Sequence, residues 1–337
     1  MRSPAGVALA EGAKTMTRAL PTSTYRERPP PPQLAGHVLC VWSQAIGAGE
    51  TSHRHRVLPD GCADIVWIGE APAVVAGPAT GPVVVPLPPR TVVIGVRLRP
   101  GAASAVLGLP ASELSDRDTP LGDIWGSAAA LSARIVEQPS IAAKLGAAEA
   151  ALADRLADAA PLDPMIAAAT RWLARHPEGR VEELAHGLEL GDRCLRRRFA
   201  AAVGYGPKTF QRVLRLQRLL ALAGRSRGLR LAALAAETGY ADQAHMSREL
   251  QALAGRSPSV LLQSSGSTLE LSDLFKTEAA PGIERWPWPK RGAACPTCPA
   301  LRRHPGRTGS RHGRRQRHDR GQEYSKSIEG GRRWSSG

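Results

Sequence analysis

Two kinds of hydrophobic pattern divide the chain. Between about residues 37 and 100, β-branched runs such as HVLCVW, ADIVWI and TVVIGVRL are separated by Gly and Pro, which is typical of short strands joined by turns. From about residue 127 onward the apolar residues recur at helical spacing instead. The pattern predicts an α+β chain of several domains, with a β-rich N-terminal domain and an all-α C-terminal domain.

A helix is predicted within the Ala- and Leu-rich segment 127–160. Its apolar positions fall on one face, and they are Ile141, Leu145, Ala148, Leu152 and Leu156. Such a face can pack on the helix's own domain or against a second copy of the chain, and the pattern leaves both open. PLDP at 161–164 is typical of a turn between two domains. We therefore expect a helical linker or dimer helix over 127–163.

Composition marks the two ends of the chain. Residues 1–24 are predicted to be a disordered leader. Residues 266–337 are rich in Gly, Arg, Ser and Pro without a sustained period, which predicts a disordered basic tail. Between these ends we expect a β-rich domain at 25–126, the helical segment 127–163 and a domain of short amphipathic helices at 164–265.

The helical C-terminal domain contains an internal repeat. VEELAHGLEL at 181–190 corresponds to LAALAAETGY at an offset of 50, and LRRRFAAAVGYGP corresponds to MSRELQALAGRSP at an offset of 51. In both copies a helix ends near Gly, and Pro follows where the next helix can start. Each copy therefore predicts two short helices joined by a tight turn, a helix-turn-helix.

The second helix of the first copy is predicted to be cationic on its outer face. Leu195 and Phe199 form an apolar stripe, and the opposite side carries three arginines, Arg193, Arg196 and Arg197. An α-helix fits the major groove of DNA, where Arg pairs bidentately with guanine. These arginines are therefore candidates for reading base edges.

Other arginines in this region are candidates for phosphate contacts. Arg198 lies at the margin of the apolar stripe, where it can meet a phosphate or form an ion pair. Between the two copies, KTFQRVLRLQRLLALAG predicts a linker helix with Arg212 and Arg215 outside its apolar stripe. In the second copy Asp242 is predicted to cap the outward helix, with Leu250 facing the core.

The distribution of charge supports a polyanionic partner. Residues 1–164 hold 14 Lys/Arg and 15 Asp/Glu, residues 165–265 hold 16 and 8, and residues 266–337 hold 15 and 7. A neutral front half joined to a basic back half favours nucleic acid, although an arginine-rich coding bias produces the same balance. Five scattered cysteines, the absence of a signal peptide and the lack of a long apolar run predict a cytoplasmic protein without a membrane span.

Residues 164–265 resemble the DNA-binding domain of the AraC/XylS family of bacterial transcriptional regulators, which has two helix-turn-helix units joined by a linker helix. The motifs that carry the resemblance are ETGYADQAHMSRELQALAGRSPS at 237–259 and LRRRFAAAVGYGPKTF at 195–210. The resemblance implies double-stranded DNA as the partner, no cofactor and no enzymatic activity. It places six residues at base-reading positions: Arg193, Arg196, Arg197, Gln243, His245 and Arg248.

Residues 25–126 resemble an uncharacterised N-terminal domain that is attached to some AraC-type regulators. The matching segments are LPDGCADIVW, AGPAT, VIGVRLRPGAASAVLG and LGDIWG. The resemblance implies a small sensor or dimerisation domain. It leaves open a small-molecule effector, a homodimer and a contact with RNA polymerase.

Several residues of the front half allow rival interpretations. His53 and His55 share a strand face, but no fixed ligand spacing completes a metal site. Cys62 could act as the nucleophile of a DNA-repair alkyl transferase, or it could be a buried core cysteine. Arg97 could bind an anionic effector or pair with Asp60 or Asp64. A third hypothesis, a non-specific nucleic-acid binder, depends on the basic tail.

Overall fold

The computed structural model of the chain describes residues 23–49, 53–157, 159, 161–225 and 230–264. These residues belong to one compact unit, with a strand-rich front half and a helical back half. The predicted α+β class is thus confirmed. Apart from Ser23 and Thr24, the predicted leader and tail lie outside the described residues.

Eight strands lie in the described part of the front half. They are β1 Thr24–Arg28, β2 Val38–Ala45, β3 His53–Val57, β4 Ala63–Ile68, β5 Val74–Ala76, β6 Val83–Leu87, β7 Val92–Leu98 and β8 Asp118–Pro120. Six of them form an antiparallel sheet in the order β1-β2-β7-β4-β5-β8, and β3 pairs with β6 in a separate ribbon. Both faces of β7 are covered, so its sequence is largely apolar instead of alternating.

Ten helices complete the described fold. They are α1 Ala103–Leu107, α2 Ala128–Val136, α3 Ile141–Leu156, α4 Pro164–Arg175, α5 Val181–Gly187, α6 Asp192–Val203, α7 Pro207–Arg225, α8 Leu231–Glu237, α9 Gln243–Ala254 and α10 Pro258–Ser264. The first three share a core with one face of the sheet. The other seven build a separate helical core.

The helix predicted within 127–160 is α3, and it packs on the sheet of its own half. Leu145, Ala148 and Leu152 are buried in the core that the sheet shares with α1 and α2. Glu149 on α3 accepts two hydrogen bonds of 2.7 Å from the guanidinium of Arg28 on β1. The apolar face of α3 is therefore covered by its own domain, which favours that alternative over a dimer helix.

The helical domain begins at the predicted joint. Asp163 caps α4 by accepting hydrogen bonds from the backbone N–H groups of Met165 at 2.9 Å and Ile166 at 3.4 Å, and Pro164 occupies the first helical turn. The change from strands to short helices thus coincides with a local start signal in the sequence.

Several specific contacts join the two halves, among them the following three. Ser115 Oγ donates to the carbonyl of Gly204 at the end of α6, at 2.7 Å. Gln217 on α7 donates to the carbonyl of Pro59 at 2.6 Å. Gly61 lies so close to α7 that a Cβ there would be 2.5 Å from the ring of Phe210. The front domain is thus in direct contact with the helices that carry the repeat.

Candidate nucleic-acid interface

The first helical hairpin consists of α5 and α6. The chain turns at Glu189, whose φ is 53°, and the backbone N–H of Leu190 returns to the carbonyl of Ala185 at 2.9 Å. At its far end α6 stops at Gly204, which adopts the left-handed conformation that favours glycine. Pro207 then begins α7.

The second hairpin, α8 and α9, repeats this geometry. Its turn residue Gly239 has a φ of 81°, and Tyr240 N–H bonds the carbonyl of Ala235 at 3.0 Å. Helix α9 ends at Gly255, also left-handed, and α10 begins at Pro258. The repeat predicted from the sequence is therefore confirmed in the backbone hydrogen bonds as well as in the residue pattern.

Helix α6 has one buried face and one cationic face. Leu195 and Phe199 are completely buried, and Phe199 lies 5.5 Å, centroid to centroid, from the ring of Phe210 on α7. Arg193, Arg196 and Arg197 are exposed. Since α6 is anchored by its core contacts, it presents these guanidinium groups from a rigid support.

The caps of the two outward helices differ. Gly191 precedes α6 and makes no side-chain capping bond, although Asp192 places a negative charge in the first turn, 3.9 Å from Arg196. Asp242, in contrast, accepts a 2.6 Å hydrogen bond from the backbone N–H of His245, as predicted for the N-cap of α9. The N-terminus of α6 is therefore less well capped than that of α9.

Arg198 forms an ion pair within the protein. Its Nη2 and Nε atoms donate to Oδ2 of Asp163 at 2.7 and 3.0 Å, and only 12% of its side chain is exposed. Of the two roles that the helical wheel allowed, the geometry favours the ion pair. In this conformation the guanidinium ties α6 to the cap of α4.

Arg212 and Arg215, predicted as phosphate contacts, also face another helix. Arg212 Nε donates to both carboxylate oxygens of Glu249 on α9, at 3.0 and 2.8 Å. Arg215 is 3.8 Å from the same carboxylate, lies over the ring of Tyr240, and has a side chain only 10% exposed. These arginines join the linker helix to the second hairpin.

The outward residues of α9 are arranged less uniformly than those of α6. Gln243 and Arg248 are exposed. His245 is partly buried: its ring packs edge-on against Tyr240, and its Nδ1 accepts a 3.3 Å hydrogen bond from the backbone N–H of Ala241. Met246 and Leu250 are fully buried on the opposite face. Of the three α9 residues predicted to read bases, one cation and one amide are thus exposed.

Two cations beside α6 escaped the sequence analysis. Arg180 and Lys208 are exposed and line the same surface groove as Arg196, although Arg180 precedes α5 and Lys208 lies in the first turn of α7. The repeat contained a signal for one of them, because Arg180 and Arg230 both stand directly before the first helix of a hairpin, at an offset of 50. No local sequence pattern singles out Lys208.

The environment of Cys62 opposes a role as nucleophile. The thiol is buried, and burial together with the nearby carboxylate of Asp60 raises its pKa well above the ordinary value. Alkyl transfer needs a thiolate, which this site destabilises. The interpretation of Cys62 as a core cysteine is the one that its surroundings favour.

His53 and His55 do share a face of β3. Gln44 Nε2 lies 3.2 Å from a ring nitrogen of His53 and 3.4 Å from one of His55. Burial, with the charges of His53 and Arg97, lowers the pKa of His55 to about 4. Among the described residues no group of three or more His, Cys, Asp or Glu side chains could hold a metal ion.

Arg97 pairs with carboxylates, as one of the two sequence hypotheses proposed. It lies 3.2 Å from Asp64, 3.4 Å from Asp60 and 3.1 Å from Glu27. Glu27 was not foreseen, since it comes from the edge strand β1.

None of the described helices is long and apolar enough to cross a membrane.

Two family models match the chain. Residues 184–264 match a helix-turn-helix domain, and residues 26–120 match a domain of unknown function, DUF6597. No curated protein gives a significant sequence match.

Several solved structures are weakly similar. A probable AraC family transcriptional regulator from Rhodopseudomonas palustris CGA009 is 21% identical with a TM-score of 0.28, over 31% of this chain and 98% of that one. An apo ToxT variant from Vibrio cholerae strain SCE256 is 12% identical with a TM-score of 0.35, over 66% and 96%. Unsaturated fatty acid-bound ToxT from that strain is 10% identical with a TM-score of 0.34, over 73% and 97%.

The family matches and the duplicated hairpin agree with each other. The helix-turn-helix match spans α5 to α10 almost completely, and the other match spans the sheet and the ribbon. The chain therefore joins a DUF6597 domain to an AraC-type helix-turn-helix domain.

Proposed function

We propose that the chain is a sequence-specific regulator in which α6 and α9 read bases in the major groove, under the control of a small molecule held by the front domain. The observation that supports base reading is the surface of α6, where three arginines are exposed opposite a fully buried Leu195 and Phe199. A fixed helix determines which base edge each guanidinium meets, whereas a mobile tail does not.

Replacing Arg196 or Arg197 with Ala tests this role. Each substitution is expected to cost about 1–3 kcal/mol of binding free energy on the preferred duplex and to relax the base preference at one position. The preferred duplex is first selected from a random-sequence library with the unmodified chain, and affinities are then measured by fluorescence anisotropy. Arg134→Ala, an exposed arginine on α2, is the matched control. An equal loss on all duplexes would contradict base reading.

Arg180, Lys208 and Arg230 are proposed to contact phosphates in place of Arg198, Arg212 and Arg215. Alanine at any of the first three positions should weaken binding to all sequences alike and lower the slope of log K against log salt by about one. The measurement is a salt titration of the duplex affinity, with Arg134→Ala again as control. A change in base preference with an unchanged slope would count against this assignment.

Control through the front domain is supported by the contacts between the halves. The hydrogen bonds from Ser115 to Gly204 and from Gln217 to Pro59 join the front domain to the end of α6 and to the linker helix α7. A shift in the loop that contains Pro59 would therefore bear on the element that separates the two hairpins. Contacts with RNA polymerase and with a second copy of the chain stay predictions.

A further inference from the structure

A cavity of about 160 Å³ lies between the six-stranded sheet and the β3–β6 ribbon. The strand register defines its floor. Trp42, Gly95 and Val66 lie side by side in one row across β2, β7 and β4, and Arg97 and Asp64 stand side by side in the next row. The cavity therefore has an apolar floor that ends in a line of charges.

The absence of a side chain at Gly95 shapes this floor. A Cβ at Gly95 would come within 2.2 Å of the Trp42 ring, so the indole lies directly over the β7 backbone. Val85 and Leu87 of the ribbon form part of the opposite wall. An engineered apolar cavity of about 150 Å³ accepts benzene, so this one has room for a ring-sized body.

Among the described residues, carboxylates outnumber cations at the charged end of the cavity. The guanidinium of Arg97 lies within 3.4 Å of the carboxylates of Glu27, Asp60 and Asp64, and the exposed fraction of each of these four side chains is 16% or less. Within this cluster one guanidinium thus faces three carboxylates in a poorly solvated place. The rest of the lining adds one charge of each sign, from Arg56 and Asp118. Asp60 and Asp64 also line the cavity, so an incoming cation can reach them.

The same geometry disfavours an anion. Arg97 already donates to Asp64 through Nε and Nη2 and to Glu27 through Nη1. A carboxylate ligand would have to displace one of these partners and would meet the excess negative charge. Opposite charge stabilises a buried ion, and like charge opposes it.

The cavity also reaches the DNA-binding domain. Gln217 and Leu220 of α7 belong to its lining. Gln217 donates to the carbonyl of Pro59, and the next residue, Asp60, holds one of the carboxylates at the charged end. One loop therefore touches both the charged end of the cavity and the linker helix.

We propose that this cavity binds a small monocationic amine with an apolar, ring-sized body, whose ammonium group donates hydrogen bonds to Asp60 and Asp64. The proposal rests on the effector control proposed above and names the chemical class of the effector. The ring lies over Trp42 and Val66, and the ammonium adds a positive charge where the described carboxylates outnumber the cations.

Three probes of one size and different charge test the ligand class: benzylamine, benzyl alcohol and benzoate, each titrated calorimetrically into the full chain. Benzylamine is expected to bind about ten- to a hundredfold more tightly than benzyl alcohol, because hydrogen bonds between charged partners are the stronger ones. Benzoate is expected to show no saturable binding.

Four variants locate the site. Asp60→Asn and Asp64→Asn should each weaken benzylamine about tenfold, by loss of one charged acceptor. Ala76→Leu, in the cavity lining, should block binding while leaving the charges in place. Asp123→Asn, exposed on the surface, should leave the affinity unchanged. Circular dichroism confirms that each variant is folded.

The DNA-binding assay is run without any probe. A failure of the amine proposal can therefore be distinguished from a failure of the proposed function. Loss of base selectivity in that assay would contradict the proposed function and leave the probe affinities as they are. The amine proposal is overturned if benzoate or benzyl alcohol binds as tightly as benzylamine, if no probe binds, or if Ala76→Leu binds benzylamine normally.

Discussion

Replacing Phe199 with Ala is expected to lower the free energy of unfolding of the helical domain by about 3–5 kcal/mol. The side chain is completely buried between α6 and α7, and its ring packs against that of Phe210. The cavity left behind would loosen the support of Arg196 and Arg197, so base-selective DNA binding should fall as well. Urea denaturation followed by circular dichroism, with duplex anisotropy in parallel, measures both effects.

The repeat supplies the matched comparisons for this experiment. Leu250 occupies the equivalent position in the second hairpin, so Phe199→Leu places there a residue that the same fold already accepts. We expect Phe199→Leu to retain most of the stability and the DNA binding that Phe199→Ala loses. If Phe199→Ala unfolds at the same urea concentration as the unmodified chain, the hairpin core does not have the role described.

Replacing Arg97 with Leu is expected to cost the front domain about 3–5 kcal/mol at neutral pH, since it leaves buried carboxylates without their cation. Glu27, Asp60 and Asp64 would then face one another in a poorly solvated pocket. The measurement is denaturant unfolding of the full chain, followed by the fluorescence of its tryptophans. Arg54→Leu, an exposed position on the ribbon, is the control.

The loss caused by Arg97→Leu should shrink as the pH falls. Burial raises the pKa of Asp64 from 3.8 to about 6 even with Arg97 present. A carboxyl whose pKa is higher in the folded state contributes stability below about pH 4 and loses it as the pH rises through 6. Without the guanidinium the carboxyl pKa values rise further, so the variant should recover at pH 5 relative to pH 7.5. A deficit that is the same at both pH values would contradict this account of the cluster.

The sequence alone identified the two hairpins and the arginine face of α6. The signals are local: the helical period of Leu195 and Phe199, the glycine stops at 204 and 255, and a second copy that repeats them. A helix period specifies which side chains share a face, and burial of the apolar face then turns the other face outward. That reasoning placed Arg193, Arg196 and Arg197 on the outside, where the structure has them.

Only the tertiary structure decided what stands opposite each remaining side chain. Arg198 meets Asp163, and Arg212 meets Glu249, at separations of 35 and 37 residues that no local period can reveal. The helical period predicted the direction in which each of these side chains points, but not the residue that it contacts. The same holds for the cavity, because its charged end exists only where the register of β2, β7 and β4 aligns Arg97 with Asp64. Strand pairing and helix packing join residues that are distant along the chain, and such pairs determine which charges are satisfied internally and which are left for a partner.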